Sequence, residues 1–311
     1  MIFEKIGPSS FQYLLDGENK KSLRDNSMAV LALGKAGGRE LGFASDIELM
    51  FVYAGLGKTT GPDVIGSADF FVKLVEDFTH MIEAKRQGIF EIDLRLRPYG
   101  RSGPLAVSLA AFESYFAQTG AAYPYERQAL VKLRVIAGDV ALGQRVIELR
   151  DRFVYSGQPF DLSAMRALRE KQLLKLDQPG TFNAKLGSGG LVECEYLVQG
   201  LQISFGHEHP SLRTTNTVEA IDALFAAGFV SSSEREQLQS AYGFLRRIID
   251  ALRMVRGDAR DLTVPAATSD EFASLARRLS YGGNLSSFQQ EIEQMTSRVL
   301  SLSRALAERM R

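Results

Sequence analysis

The sequence predicts an α+β fold in two parts, a sheet-containing domain over residues 1–140 and a helical domain over residues 141–311. Two observations support this prediction. Apolar residues that alternate with polar ones, which is typical of strands, occur in the first half of the chain. From about residue 145 onward the apolar residues recur every three or four positions, as they do on helices. A chain of 311 residues is also long enough for two domains.

Two strands joined by a glycine-rich loop are predicted near the start of the chain. Residues 28–34 are MAVLALG, a short apolar run ending at a glycine, which is typical of a buried strand. Residues 45–53 are SDIELMFVY, and the strand period of two puts Asp46 and Glu48 on the same face. We expect the core to take the other face of this strand.

A helix and a third strand are predicted next. Residues 67–88 carry apolar side chains at helical spacing, with Gly88 as the predicted C-terminal stop. Residues 89–100, IFEIDLRLRPYG, alternate again until Pro98 ends the strand. This alternation places a third acid, Asp93, on the same face as Arg95 and Arg97.

Composition limits the classes of partner. Lys plus Arg and Asp plus Glu both total 37, so the net charge is zero and no long-range field attracts nucleic acid or an anionic membrane. One cysteine, Cys194, excludes an intrachain disulfide and a cysteine-rich zinc site. No apolar run approaches the roughly 18–20 residues of a membrane-spanning helix. We therefore expect a cytoplasmic protein that binds neither nucleic acid nor a membrane.

The three acids Asp46, Glu48 and Asp93, on two neighbouring strands, indicate a metal site. Carboxylates together with substrate phosphates suit Mg²⁺, which can stabilise the attacking and leaving oxygens of a nucleotidyl transfer. Glycines let backbone N–H groups approach a triphosphate closely. The alternative is that the acids are ordinary solvated groups on an exposed strand face. The loop residues that we assign to nucleotide or phosphate binding are Gly34, Lys35, Gly37, Gly38, Arg39 and Ser45.

The order of these groups resembles the motif of the polymerase-β-type nucleotidyltransferases. In that motif a Gly-Ser turn precedes Asp-x-Asp at the start of a strand, and a third Asp lies on a later strand. Here Gly34 and Lys35 stand at the Gly-Ser position, Asp46 and Glu48 at Asp-x-Asp, and Asp93 at the third Asp. The resemblance implies a polymerase-β-like domain with a small mixed sheet, followed by a helical bundle, with these three acids as catalytic metal ligands.

Four longer blocks narrow the resemblance. LGKAGGRELGFASDIELMFVY, DLRLRPYGRSGPL, YERQALVKLR and NAKLGSGGLVECEYLVQ occur in the order and spacing of the bacterial glutamine synthetase adenylyltransferase/adenylyl-removing enzymes. The similarity runs from about Met28 to Pro265 and includes AYGFLRRIIDALRM at 241–254. The family carries two homologous halves, one attaching AMP from ATP to a tyrosine of glutamine synthetase and one removing it by phosphorolysis to give ADP. RSGPL and NAKLGSGG make this chain more like the N-terminal, adenylyl-removing half.

The resemblance implies glutamine synthetase, ATP or ADP, and phosphate as partners, Mg²⁺ as the cofactor, and the PII signalling protein as an effector. One departure concerns Glu48, because the family usually has Asp there and an extra methylene moves the carboxylate. We expect Glu48 to serve, since glutamate also binds Mg²⁺. Two alternatives stay open. One is adenylylation of glutamine synthetase from ATP, and the other is a degenerate domain that binds nucleotide or glutamine synthetase without turnover.

Basic residues are assigned to phosphate binding. Arg95 and Arg97 could bind phosphate through their planar guanidinium groups, or could pair with the neighbouring acid Asp93. In YERQALVKLR, residues 125–134, helical spacing would set Lys132 and Arg134 around one helix. Lys132 matches a lysine of the family and is our candidate for a phosphate contact.

A glycine loop and a helix are predicted over residues 185–202, and we expect segment 181–199 to reach back to the active site. A helix N-terminus favours anions, although a tight packing turn needs the same glycines. Glu193 and Glu195 are the candidate polar residues near the site. We expect the rest of the helical domain either to dock glutamine synthetase or to give structural support.

Overall fold

The computed structural model describes residues 27–59, 62–82, 91–174, 176, 181–257 and 261–310. Within them the chain is α+β, as predicted. The strands are β1 (Ser27–Ala32), β2 (Ile47–Ala54), β3 (Ile92–Asp93), β4 (Ala106–Ser108), β5 (Arg134–Gly138), β6 (Phe182–Asn183) and β7 (Thr263–Val264). The helices are α1 (Gly34–Gly37), α2 (Ser67–Met81), α3 (Leu109–Tyr115), α4 (Glu126–Val131), α5 (Val140–Val154), α6 (Leu162–Leu173), α7 (Leu191–Phe205), α8 (Thr217–Ala226), α9 (Ser232–Arg256), α10 (Asp270–Arg278) and α11 (Leu285–Ala307).

The main sheet is mixed, with β1 and β2 in its middle. β1 is antiparallel to both β2 and β5, whereas β2 is parallel to β3 at its start and to β4 farther along. In the parallel pair, Glu48 lies opposite Asp93. The sheet therefore places the two acid-bearing strands side by side. A separate antiparallel pair is formed by β6 and β7.

Both faces of the main sheet are covered. On one face Val30 and Phe51 pack with Phe71 and Val75 of α2. On the other face the apolar side chains of β1 and β2 join a larger cluster that continues into the helices of the second half. The predicted division of β2 into an acidic face and a core face therefore holds only at its start, because residues 49–53 are all buried.

The strand that carries the third acid is shorter than predicted. β3 ends at Asp93, and the chain then turns at Pro98 and Tyr99 into a 3-10 turn. Tyr99 has a φ of +61°, which is uncommon for a residue with a side chain. Because the strand ends early, the predicted alternation does not continue through the arginines. α2 ends at Met81, and the predicted stop at Gly88 lies outside the described residues.

YERQALVKLR does not form one helix. α4 ends at Val131, and Arg134 begins β5, which pairs with β1. The helical prediction was wrong from Lys132 onward because strand pairing takes over the backbone hydrogen bonds. Arg127 is buried and donates to backbone carbonyls between Val154 and Pro159.

The helical half packs onto the sheet through a shared core. α7, α9 and α11 pack against one another, and their apolar residues belong to the same cluster as one face of the sheet. α5 lies beyond the predicted boundary at residue 140 but packs against β1 and β5. A capping box formed by Ser231 and Glu234 begins α9. Among the described residues, no helix is long and apolar enough to cross a membrane.

Candidate functional site

A cavity of about 810 Å³ opens between the sheet and the helices, beside the start of β2. Its wall is built from α1, β2, the turn after β3, the end of α3, α4, α6, α7 and α9. A second cavity of about 1290 Å³ shares the part of the wall formed by Phe116, Tyr125 and Gln128. The charged residues that line the first cavity are Lys35, Asp46, Glu48, Arg95, Arg97, Glu126, Lys132, Lys185, Glu195 and Arg253.

Glu48 lies against the backbone of Gly34. A Cβ atom at residue 34 would be 1.3 Å from Oε2 of Glu48, and Gly34 has a φ of +47°. The positive φ favours glycine, because glycine adopts it without strain, and the missing Cβ leaves room for the carboxylate end of the Glu48 side chain. The longer side chain of Glu48 thus occupies space that a side chain at residue 34 would fill. Asp46, just before β2, is exposed and lines the cavity as well.

The carboxylate of Asp93 is held by Arg95. Nε of Arg95 donates to both carboxylate oxygens at 2.9 Å, and the backbone N–H of Arg95 donates to Oδ1 at 2.8 Å. Burial would raise the pKa of Asp93, but these hydrogen bonds hold it below its ordinary value. Pairing with Asp93, which we left open for Arg95, is the arrangement seen. Across the described part of the chain, no three acids, histidines or cysteines form a ready-made metal-binding group.

Carboxylates are crowded around Glu48. Burial raises the pKa of Glu48, and the positive charge of Lys185 opposes that rise. The negative charges of Asp93, Glu195 and Asp46 raise it further. A cation next to Glu48 would therefore offset both the desolvation of its carboxylate and the repulsion from the neighbouring acids. This electrostatic crowding is the feature that fits a divalent metal, whereas the Arg95 pairing means that Asp93 is not free to complete the site.

Lys35 is the cation of α1 at this cavity. Burial lowers the pKa of Lys35 to about 8, and the neighbouring cations Arg253 and Lys185 act in the same direction. A negatively charged group placed among these three side chains would be favoured, since it would offset their mutual repulsion. The cavity thus carries acids and cations close together, which is suited to a metal–phosphate ligand.

Lys132 lies in a buried network of charges. Its Nζ atom is 2.7 Å from Oε2 of Glu40 and 2.9 Å from Oε1 of Glu195, and only 6% of its side chain is exposed. Burial would lower the pKa of Lys132, but the two carboxylates hold it above its ordinary value. Burial would raise the pKa of Glu195, but Lys132 holds it below its ordinary value. Glu40 also accepts the N–H of Thr217 at the start of α8, so the network joins the sheet to the helical half.

The loop between α1 and β2 is held in place by α9. Arg246 donates to the carbonyl of Glu40 at 2.6 Å. Arg253 donates to the carbonyl of Phe43 at 3.2 Å and to Oγ of Ser45 at 2.9 Å. Ser45, predicted as a nucleotide-binding residue, is buried beside Arg253 and does not line the cavity.

Three further residues of the predicted phosphate loop lie outside the cavity wall. The N–H groups of Gly37 and Gly38 are used by carbonyls at the start of α1. A Cβ atom at Gly37 would be 1.8 Å from the carbonyl oxygen of Lys132, so this glycine permits close backbone packing. Arg39 is exposed and lies 4.0 Å from Glu219.

Two other predicted residues are engaged in local hydrogen bonds. Arg97 lines the cavity, but its Nε and Nη2 atoms donate to the carbonyl of Gly103 at 3.1 and 2.9 Å. Glu193 accepts the N–H of Gly189 at 2.9 Å and is not part of the wall. The structure thus brings Gly34, Lys35, Asp46, Glu48, Arg95, Arg97, Lys132 and Glu195 to one cavity.

Lys185 and Arg253 of the cavity wall, and Glu40 behind it, were not predicted from the sequence. All three lie inside the sequence blocks that we compared with a family, so the blocks carried a signal for them. Spacing alone does not show which arginine of α9 faces the sheet. It also gives no sign that Glu40 and Lys132, 92 residues apart, form one ion pair.

Two family models match consecutive parts of this chain. Residues 11–148 match the model described as glutamate-ammonia ligase adenylyltransferase. Residues 163–307 match the model described as GlnD PII-uridylyltransferase. The first match contains the sheet and α5 up to residue 148, and the second contains α7 to α11.

Similar curated proteins are named bifunctional glutamine synthetase adenylyltransferase/adenylyl-removing enzyme. The protein of Stenotrophomonas maltophilia (strain K279a) is 35% identical over 249 residues, which is 78% of this chain and 26% of the relative. That of Shewanella woodyi is 36% identical over 245 residues, 76% of this chain and 25% of the relative. That of Pseudomonas syringae pv. tomato is 33% identical over 279 residues, 88% of this chain and 28% of the relative. The chain spans about a quarter of the length of these relatives.

Proposed function

Because this chain is a relative of the glutamine synthetase adenylyltransferase family, we propose that it is a polymerase-β-type nucleotidyltransferase acting on the adenylyl group of glutamine synthetase. The direction we propose is removal of AMP from adenylyl-tyrosine. RSGPL and NAKLGSGG support that direction, since they resemble the adenylyl-removing half of the family more than the adenylylating half.

The observation that carries the proposal is the convergence of Asp46 and Glu48 with Lys35 and Lys185 in one cavity. We propose that Asp46 and Glu48 hold Mg²⁺, which would supply charge neutralisation at the phosphates. The crowding of carboxylates around Glu48 supports a cation there. Asp93 would join the two only after its hydrogen bonds with Arg95 are broken.

The cations of the cavity would position the reacting phosphates. Lys35 and Lys185 offer positive charge for inorganic phosphate and for the adenylyl phosphate, and Arg95 would join them once it has released Asp93. In the removal reaction an oxygen of inorganic phosphate attacks the adenylyl phosphorus. The bond between that phosphorus and the tyrosine oxygen breaks, giving ADP and tyrosine. Most of the protein's contribution would be positioning and electrostatic stabilisation.

The test uses adenylylated glutamine synthetase, this chain, Mg²⁺ and inorganic phosphate. The mass of the synthetase and the nucleotide released are measured over time. We expect loss of one AMP mass per modified subunit together with the appearance of ADP, and we expect Asp46→Asn and Glu48→Gln to abolish both. Glu91→Gln is the matched control, because Glu91 is an exposed acid that does not line the cavity, and it should retain activity.

The same measurements separate the alternatives. No loss of AMP, together with a gain of AMP on unmodified synthetase supplied with ATP, would replace removal by adenylylation as the function. Nucleotide binding without either change of mass would identify a non-catalytic, regulatory domain. The match of residues 163–307 to the model of a PII-uridylyltransferase supports PII as a partner, and adding PII to both assays tests that proposal.

A further inference from the structure

The cavity that holds the acids has a second, aromatic part. Its aromatic wall includes Tyr99, Tyr115, Tyr123 and Tyr125. The rings of Tyr123 and Tyr125 are stacked, with centroids 5.3 Å apart and planes 9° apart. The rings of Tyr99 and Tyr115 meet edge to face at 4.7 Å. These residues come from the turn after β3, the end of α3 and the segment before α4, so three parts of the chain bring tyrosines to one cavity.

Three of these rings remain open to solvent. Tyr99 and Tyr123 are each 59% exposed and Tyr125 is 44% exposed. Exposed aromatic rings that line a concave surface are available for stacking with a planar ligand, and such stacking is favourable for any aromatic ring. The aromatic part of the cavity therefore has surface that a flat ligand would cover.

The segment that carries the tyrosines is held in a fixed arrangement. The hydroxyl of Tyr115 donates to both carboxylate oxygens of Glu126, at 3.1 and 3.0 Å. The backbone N–H of Tyr123 donates to Oε2 of the same carboxylate at 2.7 Å. Glu126 thus links α3 to the segment that precedes α4. A surface held in this way loses little conformational entropy when a ligand binds.

A buried amide with an unused donor lies in the same wall. Gln128 is 4% exposed, and within the described part of the chain its Nε2 atom has no hydrogen-bond partner. A buried polar group without a partner costs free energy, so an acceptor on a ligand would be favoured once the amide, whose Nε2 atom is almost inaccessible here, has rotated into the cavity. A glutamine amide can donate to a purine ring nitrogen and accept from the exocyclic amine of adenine.

We propose that the aromatic part of this cavity is a nucleobase subsite, in which an adenine ring stacks on Tyr123 and Tyr125 and is recognised by the amide of Gln128. The inference rests on the proposed function, because it takes the ligand to be an adenine nucleotide whose phosphates lie at Lys35 and Glu48. The cavity is continuous from these residues to the tyrosines, and its volume of about 810 Å³ is within the range of roughly 300–1,000 Å³ that is usual for small-molecule sites. The phenol of a target tyrosine could also stack here, but it has no edge that pairs with both parts of an amide.

Calorimetry with ATP, GTP and inorganic tripolyphosphate, each with Mg²⁺, isolates the contribution of the base. We expect the unaltered protein to bind ATP about five- to a hundredfold more tightly than tripolyphosphate, since stacking of this kind has about that effect. Tyr125→Ala should reduce that ratio, whereas Tyr125→Phe should retain it because the ring is kept. Gln128→Glu should lower the preference for ATP over GTP about tenfold, because the amide donor is replaced by an acceptor of the same shape.

Phe225→Ala is the matched control, since it removes a ring of similar exposure on α8, outside the cavity wall. It should leave all three dissociation constants unchanged. Equal affinity for ATP and tripolyphosphate in the unaltered protein would overturn the base subsite while leaving phosphate binding intact. Failure of both to bind would overturn the proposed nucleotide function as well.

Two further outcomes also overturn the base subsite. In the first, Tyr125→Ala weakens ATP and tripolyphosphate by the same factor, so the ring supports the fold and not the base. In the second, Tyr125→Ala leaves ATP unchanged but weakens an adenylyl-tyrosine peptide more than free AMP, so the rings receive the phenol. Circular dichroism of each variant shows whether the fold is retained, and Gln128→Glu and Tyr125→Phe supply tests that do not remove bulk.

Discussion

Buried charges organise the cavity at the scale of single residues. The ammonium group of Lys132 lies between the carboxylates of Glu40 and Glu195, and all three are largely removed from solvent. A buried ion pair repays its desolvation cost only when it is complete, so removing one partner leaves an uncompensated charge. Removal of Lys132 would therefore leave the carboxylates of Glu40 and Glu195 buried without their cation.

Lys132→Met should destabilise the protein by about 3–5 kcal/mol at neutral pH, because it leaves two buried carboxylates without their cation. Arg145→Met is the control. It removes a surface cation near Glu113 and Glu148 and should cost no more than about 1 kcal/mol. Urea denaturation followed by circular dichroism gives both free energies of unfolding. Equal effects of the two substitutions would contradict the buried network.

The destabilising effect of Lys132→Met should diminish at acidic pH. The folded-state pKa of Glu195 is held below its ordinary value, so its contribution to stability is present above the unfolded-state pKa and is lost as pH falls through the folded-state pKa. The difference in stability between Lys132→Met and the unaltered protein should therefore shrink as pH falls below about 4. A difference that stays constant between neutral and acidic pH would show that packing, and not charge, is lost.

Lys35 should behave as an unusually reactive amine. With a pKa of about 8, roughly half of its side chains are uncharged at pH 8, compared with well under 1% for an ordinary lysine. Mass spectrometry after brief acylation should therefore show faster labelling of Lys35 than of the exposed Lys73. Inorganic phosphate should slow the labelling, because a nearby anion favours the charged amine. Slower labelling of Lys35 than of Lys73 would contradict the electrostatic account.

At the scale of elements, the loop from Gly38 to Ser45 depends on α9 for its shape. Its carbonyls at Glu40 and Phe43 and the hydroxyl of Ser45 accept from arginines of that helix. Arg39 and Ala44 have φ values of +58° and +53°, in the left-handed region that side chains disfavour. The contacts with α9 hold this strained loop in the form that brings Asp46 to the cavity.

Arg253→Met should loosen this loop while leaving α9 intact. Loss of hydrogen bonds from a buried guanidinium costs about 1.5–3 kcal/mol, so amide hydrogens of residues 39–46 should exchange about ten- to a hundredfold faster. Arg247→Met is a control on the same helix, because Arg247 donates to Leu279 and makes its hydrogen bond away from the loop. Unchanged exchange over residues 39–46 in Arg253→Met would show that α9 does not hold the loop.

At the scale of the whole molecule, the sheet and the helices share one core and one cavity. One apolar cluster extends from β1 and β2 through α5 to α11, and the ion pairs of Lys132 link the sheet to α7. The two ranges that match different family models therefore meet inside a single packed unit. The site is incomplete without the helical half, since Lys185, Glu195 and Arg253 all come from it.

We expect the chain to unfold in one cooperative transition, because separating the two halves would expose this shared core. Thermal unfolding followed at 222 nm for the helices and by near-ultraviolet signals of the cavity tyrosines should give the same midpoint. Two separated midpoints would show that the halves are independent. A truncated chain ending before α6 should correspondingly lack the cooperative transition.

Much of this arrangement could be predicted from the sequence, and the failures have physical causes. The apolar run at residues 28–34 identified β1, and the alternation over residues 45–53 identified β2, which carries Glu48, because the strand period is local. The extent of β3 and the break after Val131 were missed, since strand pairing with distant residues decides both. The partners of Lys132 and Ser45 also depend on tertiary contacts that no spacing encodes. The assignment of Asp46, Glu48 and Asp93 as metal ligands stays a prediction.

The contact between Gly34 and Glu48 restricts the order in which these two positions can change. Any side chain at residue 34 would collide with the carboxylate of residue 48, whereas aspartate at residue 48 is shorter by one methylene. A substitution at residue 34 would therefore be tolerated better after Glu48 has been replaced by aspartate than before that replacement. In a mutational library the cost of a side chain at residue 34 should therefore depend on which acid stands at residue 48, and the part of the cost that comes from the positive φ should persist with either acid.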